Sequence, residues 1–188
     1  TTEKLLVYFI DNEYYFHRKS ALVDKNDKFY DDNAERAIFF CKGVLETVKK
    51  LGWSPNIVHC SDWMTGLIPL YLKTTYKKDP VFKDAKSVFS IYSNEFDDKF
   101  EGNILEKAKM LDIDDHMMAS LKSADFSGFI KMGMEYADTV VRSDEAFSDH
   151  INGLFTEYAL HNRPSQVAPD ETLHSSSHAP THELANSP

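Results

Sequence analysis

The chain has 188 residues, a formal net charge of −9, and 42% hydrophobic and 13% aromatic residues. That length suits one domain with a real core, and the apolar content lies well above that of chains that stay disordered. The acidic balance, with lysines scattered among Asp and Glu, argues against nucleic acid as a partner, because phosphate binding draws on clustered Lys and Arg. No run reaches the roughly 18 apolar residues that a membrane span needs, and the N-terminus lacks the basic-then-apolar pattern of a signal peptide, so no membrane partner and a cytoplasmic location are expected. Cys41 and Cys60 each sit inside an apolar segment and read as reduced thiols rather than as a disulfide or a zinc site.

Residues 4–10, KLLVYFI, form an apolar run rich in β-branched and aromatic residues, the composition of a strand buried on both faces. Residues 19–33 are polar and suggest a short hairpin or an exposed loop. Asp32 and Glu35 have capping-box spacing, and Ile38, Cys41, Leu45, Val48 and Leu51 recur at helical steps, so residues 33–51 read as an amphipathic helix ended by Gly52. NIVHC then reads as a second buried strand, and SDWMTGLIPLYLKTTY as a helix kinked at Pro69. Lys86 to Tyr92 is expected as a third strand, followed by an acidic loop through Gly102. Residues 103–122 read as one or two short helices, Ser123 to Tyr136 as another, and Thr139 to Arg142 as a short strand. Ser143 to Tyr158 reads as a last helix, with Asp144 and Glu145 in its first turn, where the helix dipole favours negative charge.

Alternating buried strands and amphipathic helices predict an α/β protein: a Rossmann-like, mostly parallel sheet with helices on both faces and right-handed crossovers. The domain is expected over residues 1–160. From 161 to 188 the composition shifts to Pro, Ser, His, Thr and Ala without periodicity, and a disordered tail is expected. His174, His178 and His182 recur every four residues there, but Pro180 and the Ser-rich context oppose a helix that would align them on a metal.

In an open α/β sheet, ligands bind beyond the carboxyl ends of the strands, where following helices expose free N–H groups. His59, Ser61, Asp62, Trp63 and Thr65 would all lie at such an end. The competing reading makes Asp62 a helix cap and Trp63 a packing residue. Tyr14, Tyr15, Phe16 and His17 follow the first expected strand, and their rings either stack on sugars or pack into the core. Asp112, Asp114, Asp115 and His116 lack the Gly and Glu spacing of a calcium loop and read as a solvated helix start. There is no GxGxxG, P-loop or GxSxG motif, and no cofactor or metal is expected.

Four stretches carry a family resemblance. VHCSDWMTGLIPLYL resembles the H-x-H-D-W-H-T segment and following L-x-P-x-Y helix of glycogen/starch synthases. FIDNEYYFHR resembles that family's strand and loop with an aspartate and a Tyr-Phe pair, and DDNAERAIFFCKGVLE its D-x-x-R-F-x-x-F-x-x-A helix. GFIKMGMEYADTVVRSDEAFSDHI resembles its late helix ending in Y-A-D with the strand and helix that follow. The matches run in order over roughly residues 5–155, and the chain looks most like the short bacterial relatives that consist of the first domain alone.

The resemblance implies the N-terminal half of a GT-B fold and a hexosyltransferase activity: glucosyl transfer from a sugar nucleotide such as ADP-glucose to an α-1,4-glucan. It places α-glucan or sugar nucleotide against His59, Asp62, Trp63, Thr65, Tyr14 and Tyr15. The departures are Ser61 and Met64 where the family has histidines, and Tyr92-Ser93 where it has His-Asn. A thioether neither titrates nor donates a hydrogen bond, so Met64 cannot replace an imidazole, and no catalytic residue is assigned. The family's first strand and phosphate-cradling lysine-glycine loop would precede Thr1, and its second domain would follow. The isolated chain is therefore expected to be inactive, a fragment of a longer protein or a non-catalytic domain that binds glucan or a protein partner. An open sheet edge is expected to favour a partner or self-association.

Overall fold

The structure, a computed structural model, describes residues 5–162. The expected tail, with His174, His178 and His182, lies outside the described residues apart from its first two positions.

The organising helix is α2 (Asn33–Leu51), which spans the residues its periodicity marks and buries Ala34, Ala37, Ile38, Cys41 and Leu45. Gly52 closes it in the left-handed region at φ 65°, where a side chain would add strain, and its N–H bonds to the Lys49 carbonyl. The expected capping box is not made: Asp32 forms no cap bond. Its carboxylate is taken by Arg18, which grips both oxygens at 2.7 and 2.5 Å, a charge-assisted fork stronger than a neutral cap. Glu35 is likewise turned to the Tyr15 hydroxyl at 3.1 Å and to Lys107.

Among the described residues three strands form the sheet: β1 (Ile57–Ser61), β2 (Lys86–Ile91) and β3 (Thr139–Arg142), in the order β1-β2-β3 and all parallel. The chain is thus α/β with a parallel sheet. By register Cys60, Phe89 and Val140 share one face, and Cys60, Phe89 and Ile91 are buried there. Helices α3 (Ile68–Lys73) and α5 (Phe126–Tyr136) cover it. Gly133 of α5 rides directly over Phe89, so close that a Cβ would sit 2.4 Å from the ring. The opposite face carries His59 with Val88 and Thr139, and Ser61 with Ser90 and Val141. Ile57, His59, Ser61, Thr139 and Val141 are exposed on it, so the described residues supply no second helical layer there.

The first expected strand is absent. Residues 5–10 make no ladder, and Leu5, Leu6, Val7, Tyr8 and Phe9 are exposed, by 55% at the least. A run of this composition becomes a strand only when a neighbour takes its backbone groups. Short helix α1 (Glu13–Phe16) follows, capped by Asn12, whose Oδ1 accepts from the Tyr15 amide at 3.0 Å. The polar stretch after it is a loop closed by a single bridge between Val23 and Phe29.

Two other helices are shorter than expected. The segment after β1 is no kinked helix. It is a 3-10 turn at Trp63–Thr65 followed by α3, with Pro69 in the first turn of α3, where its missing N–H has no partner to lose. The last helix, α6, runs Asp149–His161, capped by Ser148, so Asp144 and Glu145 lie outside it. Between these, α4 (Ile104–Ala108) and a 3-10 turn at Ala119–Ser123 occupy the region read as one or two short helices.

Candidate functional site

The carboxyl ends of the strands converge on Asp62. Its amide still belongs to the ladder, donating to the Ser90 carbonyl at 2.8 Å, but its backbone then turns sharply at φ 65°, ψ −177°. This region is almost reserved for glycine and costs a substituted residue on the order of 1–3 kcal/mol. The turn is fixed from behind by Thr65, whose amide and hydroxyl donate to the Asp62 carbonyl at 3.0 and 2.9 Å. It tucks the Asp62 carboxylate inward, to 8% exposure. Asn94 donates to Oδ2, while Oδ1 is buried with no hydrogen-bond partner among the described residues. Burial pushes the carboxyl above its ordinary range. Asn94 and the amides of Trp63 and Tyr92 pull against that, and the charge of Asp144 adds to it.

Trp63 points the other way, into the core. It is 3% exposed and meets Phe96 and Phe100 at 5.3 Å and Phe129 at 5.8 Å between ring centroids. Phe96 and Phe100 belong to the loop after β2, so Trp63 fastens to the body the loop that carries Asn94 to Asp62. A second clasp joins the ends of β2 and β3: the amide and hydroxyl of Ser93 both donate to Asp144 Oδ2 at 2.5 Å, and the Ser143 amide bonds the Ile91 carbonyl at 3.0 Å. The Ser93 hydroxyl and amide hold the Asp144 carboxyl below its ordinary range. Tyr92, Ser93 and Asn94 are all exposed at this end of the sheet.

The other expected site residues are placed as follows. His59 stands in the middle of β1, with Nε2 2.7 Å from the hydroxyl of Ser90, on the open face of the sheet. Met64 is half-buried, and its carbonyl accepts from the Cys41 thiol at 3.1 Å. Tyr14 and Tyr15 are held at the start of α2 instead, with Tyr15 bonded to Glu35 and packed on Phe39 at 5.1 Å. Tyr14 is 72% exposed and meets Tyr15 edge-on. Their loop is tied down by Arg36, buried at 5% exposure, which donates to the Tyr15 and Ala21 carbonyls and to Asn33 Oδ1. The structure therefore gathers Asp62, Trp63 and Thr65 at one sheet end, and sets His59 on the adjoining face and the tyrosines on the short helix α1. The sequence reading missed Asn94, which sits in an aperiodic acidic loop. It also placed Asp144 in a helix. The acidic knot is local chemistry: Asp114 accepts from the His116 and Met117 amides, and Asp115 pairs with Lys109.

The class these features define is an α/β protein with a parallel sheet, whose strand ends bring together a strained, buried carboxylate and exposed amide and hydroxyl groups. The chain belongs to the starch synthase catalytic domain family, whose profile matches residues 1–163. It is similar to the glycogen synthase of Clostridium botulinum (strain Alaska E43 / Type E3), at 40% identity over 78% of this chain and 30% of that protein. It is also similar to the glycogen synthase of Clostridium perfringens (strain 13 / Type A), at 32% identity over 90% of this chain and 36% of that protein. The chain thus spans about a third of the length of these curated relatives. The catalytic domain of starch synthase IV from Arabidopsis thaliana, solved bound to ADP and acarbose, overlaps 59% of this chain and 23% of that one, with a TM-score of 0.45 and 19% identity. No helix of the described residues is long and apolar enough to cross a membrane.

Proposed function

We propose that this chain forms the acceptor-side wall of a glucosyltransferase of the glycogen/starch synthase type. That enzyme moves glucose from ADP-glucose to the end of an α-1,4-glucan, and the chain supplies part of the Rossmann-like N-terminal half of its GT-B architecture. The observation that carries the reading is Asp62. A non-glycine residue held in a glycine-type conformation, with one carboxylate oxygen buried and unpaired, is costly, and such costs persist where a site requires them. Its place beyond the ends of parallel strands and the glycogen synthase relatives support the same reading.

In this reading the glucan runs along His59, Asp62, Trp63, Thr65 and the Tyr14-Tyr15 loop. Asp62 and Trp63 act from beneath: Asp62 orients Asn94, and Trp63 fixes the loop that bears it. Asn94, Ser93 and Thr65 offer donors and acceptors to sugar hydroxyls, and the exposed Tyr14 ring offers an apolar face. Transfer also needs groups that bind the donor's diphosphate and stabilise its departure, and we assign none of these to the chain, which alone is inactive. A cytoplasmic location belongs to the same proposal, in keeping with two unpaired thiols.

A second reading, a non-catalytic domain that binds glucan or regulates a partner, is favoured by Met64, where the resemblance has an imidazole. Calorimetry with maltoheptaose and, separately, with ADP-glucose tests both. Binding of maltoheptaose that weakens about tenfold, ~1.4 kcal/mol, in Asn94→Ala is the expected result. Absence of any glucan binding by the folded chain defeats the acceptor wall. Transfer of labelled glucose from ADP-glucose to glycogen by the pure chain would defeat the assignment of inactivity and the second reading together.

A further inference from the structure

An ionised carboxylate only accepts hydrogen bonds, whereas an asparagine side chain has one donating and one accepting end. Asn94 meets Asp62 Oδ2 with its Nδ2, and chemistry dictates that end, because its carbonyl oxygen would repel the carboxylate. Asp62 has no freedom to turn toward another partner. Its backbone is pinned at φ 65° by the ladder bond to Ser90 and the two bonds from Thr65, and the residue is 8% exposed. Asn94 is exposed, and its loop is seated by Phe96 against Trp63. With the amide nitrogen committed to Asp62, the carbonyl oxygen of Asn94 is turned away from the carboxylate and makes no hydrogen bond among the described residues.

The other oxygen of Asp62, Oδ1, is buried without a partner, which is costly for a charged group. A proton on Oδ2 removes that charge and makes Oδ2 a donor. The bond to Asn94 then survives only if the amide rotates half a turn, carbonyl inward and NH2 outward. The groups that act on Asp62 are the Asn94 amide and Tyr92 N–H from the loop after β2, the Trp63 N–H from the turn after β1, and the charge of Asp144 from the turn after β3. Ser93 holds the Asp144 carboxyl below its ordinary range, so Asp144 stays ionised while Asp62, raised by burial, takes its proton.

We infer that Asp62 is a positioning residue that sets the polarity of Asn94: the buried carboxylate holds the amide nitrogen inward, so that Asn94 presents its carbonyl oxygen to the ligand and accepts a donated sugar hydroxyl. The charge behind the amide polarises it and makes that oxygen a stronger acceptor than a free asparagine offers. The sugar hydroxyl rests on the glucan reading above, and the coupling of the two side chains does not.

NMR of the full chain across pH tests the coupling without any sugar, by following the Asp62 carboxyl carbon and the Asn94 side-chain amide. The expected result is one shared midpoint above the ordinary carboxylate range, with the Asn94 amide protons losing their hydrogen-bonded shift as the pH falls through it. In Asp62→Asn, whose own amide nitrogen donates to Asn94, the Asn94 signals are expected in the acid form at every pH. Maltoheptaose binding by the wild type is expected to weaken about tenfold as the pH falls through the same midpoint, and to be weak and flat with pH in Asp62→Asn. By reciprocity, maltoheptaose lowers the Asp62 midpoint by the matching amount. A purely structural role would leave the pH profile of binding in Asp62→Asn like that of the wild type. The backbone amide spectrum shows whether Asp62→Asn folds; if it does not, the wild-type titration decides alone. Separate midpoints for the two side chains, or a shared midpoint through which maltoheptaose binding keeps its strength, overturns the inference. Coupled titration with no maltoheptaose binding at any pH upholds the Asp62–Asn94 unit and defeats the glucan reading instead.

Discussion

The aromatic cluster around Trp63 and the apolar run Leu5–Phe9 are built from the same kinds of side chain and meet opposite fates. Trp63, Phe100, Phe126 and Phe129 are at most 6% exposed, whereas Phe9 is 89% exposed. Apolar composition fixes what a segment gains by burial; whether it is buried depends on a second layer to cover it and, for a strand, on a neighbour to take its backbone bonds. The cluster has α5 on one side and the loop after β2 on the other, while the run has only one wall. Truncation should expose the contrast. Phe129→Ala is expected to cost about 3–5 kcal/mol in urea denaturation, because it opens a cavity beside the rings of Trp63 and Phe100. Phe9→Ala is expected to stay within about 0.5 kcal/mol. A large loss for Phe9→Ala would show that the run is buried in solution.

Backbone proximity makes the next largest test. A Cβ on Gly66 would lie 2.3 Å from the Phe129 carbonyl oxygen, a main-chain atom with no rotamer to yield. Gly66→Ala is therefore expected to cost about 2–3 kcal/mol, with a matching fall in melting temperature. A neutral result would mean that α5 and the turn after β1 slide apart easily, against the close packing that holds Trp63 in place.

How far these features were legible in the sequence follows from the same physics. Helix α2 was readable to the residue, because its apolar spacing, its exposed face and Gly52 all point the same way. The three strands of the sheet were readable from short apolar runs, and the gathering of Asp62, Trp63 and Thr65 beyond the end of β1 was readable from their order after it. What failed depended on partners distant in sequence. The capping box at Asp32 lost to Arg18, fourteen positions earlier. Asp144 left its expected helix turn for Ser93, fifty-one positions away. The strand expected at residues 4–10 failed because composition specifies a strand's side chains and says nothing of its neighbour. Asn94 gave no local signal at all, since its meaning comes from Asp62 across the sheet end.

Side-chain bonds tie the outer strand β3 to the middle of the sheet, and Asp138 measures their strength. Burial raises its carboxyl, but the Lys73 ammonium at 2.5 Å and the amide and hydroxyl of Ser87 at 2.8 and 3.1 Å outweigh that and hold it at about 2, against 3.8. The group thus pins the start of β3 to β2. Because its folded value is depressed, its contribution is fully present above about pH 4 and is lost as the pH falls through about 2. For this solvent-exposed residue, screening reduces the roughly 2 kcal/mol equivalent of the shift to about 1 kcal/mol. Asp138→Asn is expected to lose about that much at neutral pH, with the gap to wild type closing in acid. A gap that persists at low pH would assign the loss to packing.

A small gain, rather than a loss, should come from the last helix of the described residues, where the helical layer thins. Helix α6 fully buries only Ile151 and Leu154, and Gly153 lies between them on the outer side, with nothing within 4 Å of where a Cβ would stand. A glycine in mid-helix leaves the unfolded chain more freedom than alanine does and adds no contact in return, so Gly153→Ala is expected to stabilise by about 0.5–1 kcal/mol. That gain should appear as slower amide exchange along α6, with little change in the exchange of β2, because the substitution strengthens the helix and not its seat. Protection that rose equally in both would mean that α6 and the sheet open as one unit. The contrast would then lie between the one-walled run Leu5–Phe9 and all the rest of the described fold.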